Sequence, residues 1–175
     1  MIMADVLTWF LVIVGSLMVF IAHWLGAFAL FPTLVEGCSE RYGRRPVAAT
    51  MLGLVVLVPT LLVATLVTKK LAHPAIGALV VALLSIPTLL ALLGSAGLAL
   101  RIGAGLRSSG DAEQPWRRVL RGGTVLSLVF VLPIFGWFVL LPWALASGFG
   151  AALMTLLAER RPDSVLLAPT TEPQA

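Results

Sequence analysis

Long apolar stretches, each bounded by short clusters of charged residues, dominate the sequence. Hydrophobic residues make up 59% of the chain and charged residues only 11%, whereas a soluble domain has about 25% charged residues. A helix that crosses the hydrocarbon core of a bilayer needs about 20 apolar residues. Because backbone polar groups in lipid must be hydrogen-bonded within their own segment, such stretches predict helices. We therefore expect an all-α polytopic helical membrane protein, and not a barrel, whose strands alternate polar and apolar residues.

The charge clusters place the first three membrane spans at about residues 6–34, 47–68 and 75–100. The polar stretches between the apolar ones are short. Residues 1–163 are therefore predicted to form a single transmembrane helical domain with no soluble domain beside it. Residues 164–175 are rich in proline and threonine and are predicted to be a disordered tail.

The last apolar stretch, residues 122–158, is too long for one ordinary span and just long enough for two short ones. Pro133, Gly136 and Trp137 lie near its middle. Proline removes a backbone donor, glycine permits a tight turn, and tryptophan is enriched at the membrane interface. We predict a helical hairpin that turns at these three residues. One long helix that is kinked at its prolines is the alternative, and it gives four spans instead of five. In the five-span topology the last two spans lie at about residues 119–135 and 137–158.

The distribution of basic residues distinguishes the two topologies. Five spans place ten of the twelve Lys and Arg residues on one side of the membrane, whereas four spans place eight there. Cytoplasmic loops are enriched in Lys and Arg, so the distribution favours five spans, with the N-terminus outside and the C-terminus in the cytoplasm. We expect a multi-pass protein of the bacterial inner membrane. Because the basic residues lie in loops between spans, they do not indicate nucleic acid binding.

Small residues recur four positions apart in two of the predicted spans. One set is Ala22 and Gly26, and the other is Ala144, Gly148 and Ala152. This spacing lets membrane helices approach each other closely. We predict that these five residues pack against other helices. The partner helix belongs either to the same chain, which is the commoner case, or to a second protein.

The loop that precedes the last apolar stretch combines basic residues with a tryptophan. Basic side chains beside a membrane attract anionic lipid headgroups, and the tryptophan would anchor the loop among those headgroups. We predict contacts with anionic lipids, and topology determination by the same charges is the alternative explanation. The residues concerned are Arg101, Arg107, Trp116, Arg117, Arg118 and Arg121.

Residues that could carry out chemistry are sparse. His23 lies inside a span, where an ionisable group is a functional candidate. No charged residue lies deep in another span to pair with it, so we expect a neutral histidine that is hydrogen-bonded to Ser, Thr or backbone. The single cysteine, Cys38, has no histidine nearby and makes a poor zinc ligand set. We therefore predict no enzymatic activity, no metal site and no cofactor.

Part of the sequence resembles a known family. The residues that carry the resemblance are Arg121-Gly122, then Leu132-Pro133 and Gly136-Trp137, and finally Gly148-Phe149-Gly150-Ala151-Ala152. Their order resembles the helical membrane region of bacterial polymer-forming, bactofilin-like proteins, over at most the C-terminal two-thirds of the chain. The resemblance implies a compact helical membrane module. The soluble β-helical repeat that gives those proteins their polymerising function has no counterpart in this sequence.

Small residues, short loops and spans with little charge together predict a non-enzymatic membrane anchor, scaffold or accessory subunit of a larger assembly. Its partners would be membrane lipids and either a second protein or further copies of the chain. The alternative is a small transporter or channel component, because broken helices often build substrate sites. The prolines that could break helices are Pro59, Pro87, Pro133 and Pro142.

Overall fold

The protein is helical throughout the part of the chain that its structure describes. The computed structural model describes residues 2–70, 73–106, 114–132 and 134–159. Four stretches within these ranges are long and apolar enough to cross a membrane: Asp5–Leu30, Pro46–Lys70, Pro74–Gly105 and Gly136–Ala158. The predicted fold class, an all-α polytopic helical membrane protein, is thereby confirmed. In chain order the elements are α1 (Ile2–Leu30), α2 (Pro32–Arg44), α3 (Pro46–Lys70), α4 (Pro74–Gly105), α5 (Trp116–Phe130), a π-helical segment (Gly136–Leu140) and α6 (Leu141–Glu159).

Prolines mark the start of three helices. Pro32, Pro46 and Pro74 each stand at the first helical position, where the missing N–H would have no partner in any case. Phe31 has a non-helical backbone (φ −133°, ψ 58°), because a proline ring disfavours the α conformation in the residue before it. The first span therefore ends at Leu30, earlier than the sequence predicts.

A short helix, α2, follows the first span where the sequence predicts mainly a loop. Val35, Cys38 and Tyr42 are buried at helical spacing, whereas Glu36 and Glu40 are exposed. The helix is therefore amphipathic, with one face packed on its neighbours. It packs mainly on α4 and α6.

Burial is concentrated at one end of the bundle, which we term the packed end. The packed end comprises α2, α5 and the adjoining parts of the long helices, which are α1 from Phe20, α3 as far as Gly53, α4 from Leu90 and α6 from Ala144. At the opposite end, termed the open end, most large apolar side chains of α1, α3 and α4 are exposed. Although only a short connection joins them, α3 and α4 make few contacts with each other. The bundle is closed at the packed end and splayed at the open end.

Glycines let α3 and α6 touch backbone to backbone. A Cβ atom on Gly53 would overlap the carbonyl group of Ala146, and one on Gly150 would overlap the carbonyl group of Ala49. Each glycine thus lies in the groove that the other helix offers. Helices in lipid associate largely by van der Waals packing, so this close approach is a main source of their stability.

Helix α4 lies at the centre of the packed end, with α5 and α6 against it. A Cβ atom on Gly94 would overlap the backbone of Gly148 in α6. On the α5 side, a Cβ atom on Gly103 would overlap the carbonyl group of Arg118, and one on Gly122 would overlap the α4 backbone. Three helices are therefore held together by direct backbone contact at small residues.

The chain reverses direction between α5 and α6. Helix α5 starts beside the end of α4 and runs back along it. Helix α6 runs in the same direction as α4. Its Gly148 lies beside Gly94, while Thr155, further along, contacts Cys38, which in turn packs against Gly97.

Gly136 stands directly after this reversal. A Cβ atom there would lie 2.7 Å from the carbonyl oxygens of both Val129 and Phe130, so any larger residue would push the turn away from α5. Trp137, which follows, is exposed at 66%. Pro133, the third residue predicted to form the turn, lies outside the described residues.

Helix α5 is shorter than the fifth span that the sequence predicts at residues 119–135. It has 15 residues, which correspond to about 22 Å at 1.5 Å per residue, whereas the hydrocarbon core is about 30 Å thick. Arg117, Arg118 and Arg121 occupy its first turns. Four helices are thus long and apolar enough to be candidate spans, and the shorter α5 turns back into the last of them, so the described helices fit four or five spans.

Candidate functional sites

The small residues predicted to pack against helices fall into two groups. Ala144, Gly148 and Ala152 are buried in the packed end. Ala22 is exposed, and no atom of another helix comes within 4 Å of a Cβ built on Gly26. Within the described ranges, the same-chain partner expected for Ala22 and Gly26 is therefore not found, because their face of α1 points away from the bundle.

Two side-chain hydrogen bonds attach α2 to α6. The Tyr42 hydroxyl donates to Ser147 Oγ at 3.1 Å, and the Thr155 hydroxyl donates to Cys38 Sγ at 3.8 Å. All four side chains are buried. Burial raises the pKa of the Tyr42 phenol well above its usual range, although the bond to Ser147 opposes that rise. These groups serve as polar connections between the two helices.

The raised pKa of Tyr42 predicts a loss of stability in alkali. The folded protein keeps the phenol protonated, so this stability is fully present below about pH 10, the pKa of an unfolded tyrosine, and decreases as the pH rises above it. We expect Tyr42→Phe to remove that pH dependence and to cost about 0.6–1.7 kcal/mol from the lost bond. Thermal unfolding in detergent, between about pH 8 and about pH 11, measures both effects. Ser147→Ala is the matched control, because it removes the same bond and keeps the phenol. An unchanged alkaline loss in Tyr42→Phe would show that another group is responsible.

An aromatic cluster joins α1 to α5. The ring centroids of Phe20 and Trp24 lie 5.9 Å apart, and Phe130 lies 5.7 Å from the first and 6.2 Å from the second. Trp24 is 2% exposed, and its indole N–H donates to Ser95 Oγ of α4 at 3.0 Å. This cluster fixes the position of α1 against the other helices. It is not among the contacts predicted from the sequence.

His23 lies next to this cluster. Its Nε2 is 3.4 Å from the carbonyl oxygen of Leu92. The half-buried ring thus reaches backbone, as expected from the sequence. Cys38 is fully buried between α4 and α6. In the described part of the chain, no group of three His, Cys, Asp or Glu residues is placed to hold a metal ion.

An apolar cleft of about 810 Å³ separates the first half of α1 from the turn between α5 and α6. Trp9 and Ile13 line it on one side, and Val131 and Trp137 line it on the other. Phe130 of the aromatic cluster also contributes to its wall. Apart from Ser16 and Ser127, the side chains that line the cleft are apolar or aromatic, so the cleft suits an apolar occupant.

The residues predicted to contact anionic lipids lie at the packed end. Arg101, Trp116 and Arg117 are exposed, whereas Arg118 and Arg121 are half-buried. The guanidinium group of Arg117 lies 5.6 Å from the centre of the Trp116 ring, which is a cation–π distance. Arg107 lies outside the described residues.

The fold and these sites define an all-α, multi-pass membrane protein with one end that is closely packed through glycines. Comparisons with protein-family models, with curated proteins and with solved structures found no match. The resemblance to the membrane region of bactofilin-like proteins therefore stays a prediction.

Proposed function

We propose that this protein is a non-enzymatic scaffold or accessory subunit that holds other membrane helices in a larger assembly of the bacterial inner membrane. In this proposal the packed end faces the cytoplasm, as the positive-inside rule expects for its arginines. One observation carries the proposal: a core of close backbone contacts supports helix halves that have no partner within the described chain.

The exposed surface of the open end supports this role. Large apolar side chains of α1, α3 and α4 are exposed there over several turns. At the packed end, on the outer face of α1, Ala22 and Gly26 also leave open space where a second helix could approach closely. A closely packed base, with helix halves that have no partner among the described residues, is the arrangement that a docking subunit requires.

Purification through a C-terminal tag in mild detergent tests the proposal. We expect a stoichiometric partner chain, or a defined homo-oligomer, in the native mass of the wild-type protein. Gly26→Leu is expected to lose this partner while its own melting temperature stays unchanged, because it fills space outside the bundle. Gly77→Leu is the matched control, because its Cβ position on α4 is equally open. A monomer without partner chains would contradict the proposal.

A small transporter or channel component is the second candidate, and the apolar cleft favours it. Pro59 and Pro87 stand inside α3 and α4, in the splayed region, and broken helices often build substrate sites. The cleft would admit an apolar substrate and not an ion. Uptake of a fluorescent apolar probe by liposomes that contain the protein tests this candidate. Transport that Trp137→Ala leaves unchanged would exclude the cleft as the pathway.

A further inference from the structure

The arginines of three separate chain segments meet at the packed end. Helix α2 ends in a basic run that continues to Arg45, the last turns of α4 contain Arg101, and α5 starts at Trp116 and Arg117. Close packing fixes the relative positions of these segments, because Gly103 of α4 lies against the first turn of α5. Folding therefore brings together cations that are far apart in the sequence.

The contact between Arg101 and Gly43 is the closest part of this arrangement. A Cβ atom on Gly43 would lie 3.1 Å from Arg101 Cζ and 3.2 and 3.3 Å from its two terminal nitrogens. These nearly equal distances mean that the guanidinium group lies flat on the last turn of α2. Arg44 and Arg45 directly follow this glycine. The partial negative charge of the carbonyl groups at the end of α2 stabilises a nearby cation such as Arg101. Arg44 and Arg45 add further positive charges at the same place.

The charges at this end are not balanced within the described chain. The described residues of the packed end include seven arginines and three glutamates, an excess of four positive charges. Like charges in proximity repel each other, so an anion bound among them would be held strongly. The arginines are Arg41, Arg44, Arg45, Arg101, Arg117, Arg118 and Arg121, and the glutamates are Glu36, Glu40 and Glu159.

The position of these arginines indicates which anion is available. Trp116 is 45% exposed, and exposed tryptophans at the ends of membrane helices lie at the depth of the lipid headgroups. The planar guanidinium group binds phosphate oxygens in pairs, whereas an ammonium group acts only as a point charge. The phosphodiester groups of lipids lie at this depth on every side of the protein.

We propose that the arginines around Gly43 form a binding site for the headgroup of an anionic phospholipid, with Arg44 and Arg101 as its central pair. This goes beyond positive-inside sorting, because sorting requires only positive charge in the loops and not a particular arrangement of side chains. The proposal does not depend on the scaffold function.

Lipid retention by the full-length protein tests the site. Purified protein is exchanged into phosphatidylcholine nanodiscs that contain a small fraction of phosphatidylglycerol, and the affinity for phosphatidylglycerol is measured by native mass spectrometry. Each arginine near the surface contributes about 1 kcal/mol, so the double variant Arg44→Gln/Arg101→Gln is expected to bind about 30-fold more weakly. Lys69→Gln/Lys70→Gln removes the same charge at the open end and is expected to change binding by about 2-fold or less.

Gly43→Leu tests the geometry separately from the charge. This variant keeps every arginine, but its side chain occupies the place of the Arg101 guanidinium group. We expect about 5-fold weaker binding, which corresponds to the loss of one cation from the site. Gly43 is exposed, and an unchanged melting temperature in pure phosphatidylcholine shows that the fold is intact.

Three results would overturn the proposal. Equal losses in the Arg44/Arg101 and Lys69/Lys70 variants would show that only the total charge matters. Full binding by Gly43→Leu would show that the position of Arg101 is irrelevant. Displacement of phosphatidylglycerol by millimolar inorganic phosphate would identify a site for soluble anions instead of a lipid site.

Discussion

Gly148→Leu is expected to prevent the packed end from closing, so that little folded protein accumulates in the membrane. A Cβ atom at this position would overlap the Ala91 carbonyl and lie 2.8 Å from the Ser95 amide nitrogen. Both neighbours are backbone and cannot rotate away. Overpacking against side chains that can move costs about 1–3 kcal/mol, so we expect a larger loss here. The amount of protein in the membrane fraction and its unfolding temperature in detergent measure the effect.

Gly77→Leu provides the control for the same substitution. It lies on the same long helix, α4, as the groove that receives Gly148, but its Cβ position is open. We expect wild-type abundance and a shift in the free energy of unfolding of about 0.5 kcal/mol or less. A graded loss from Gly148→Ala to Gly148→Leu would support the clash. Equal abundance of Gly148→Leu and Gly77→Leu would show that the backbone contact is absent.

The existence of the spans could be predicted from the sequence because it depends on length and apolarity alone. Helix α2 could not be predicted in the same way. Its Glu36, Glu40 and basic residues resemble a loop between spans, and only the positions of Val35, Cys38 and Tyr42 indicate a helix that buries one face. This pattern covers only three residues. It can be recognised as the buried face of a helix only when α4 and α6, against which α2 packs, are known.

The length of α5 could not be predicted from the sequence for a different reason. Counting basic residues favours a complete fifth span, and in the structure the end of α6 packs beside α2, as that topology expects. The helix itself stops at Phe130 and begins with three arginines in its first turns. Charge counting indicates on which side a segment ends. It does not determine how deep the segment goes, because packing against α4 can stabilise a short helix.

Small residues four positions apart predict that another helix can pack closely at that place. They do not identify which helix it is. Gly148 meets α4, whereas Gly26, in the same kind of pattern, meets no other helix among the described residues. The pairs Ala49–Gly53 and Ala146–Gly150 have the same spacing and form the α3–α6 contact, but they are not among the packing residues predicted from the sequence. The partner depends on the order and direction of the spans, which composition does not specify.

Replacing Trp24 by alanine is expected to detach α1 from the packed end. Trp24 is 2% exposed, packs against both Phe20 and Phe130, and approaches Gly123 so closely that a Cβ there would be 2.9 Å from its ring. Truncation of a buried tryptophan costs about 3–5 kcal/mol. Its hydrogen bond to Ser95 is the smaller contribution, because bonds between membrane helices average about 0.6 kcal/mol.

Two further variants separate packing from hydrogen bonding at this position. Trp24→Phe keeps most of the ring contacts and loses the indole N–H, so we expect a loss of about 1 kcal/mol. Trp137→Ala, at a residue with 66% exposure, removes an equal volume outside the core and is expected to cost about 0.5 kcal/mol or less. Unfolding temperatures in detergent, with limited proteolysis between α1 and α2, measure stability and detachment together. If Trp24→Phe were as damaging as Trp24→Ala, the bond to Ser95 and not the aromatic packing would hold α1 in place.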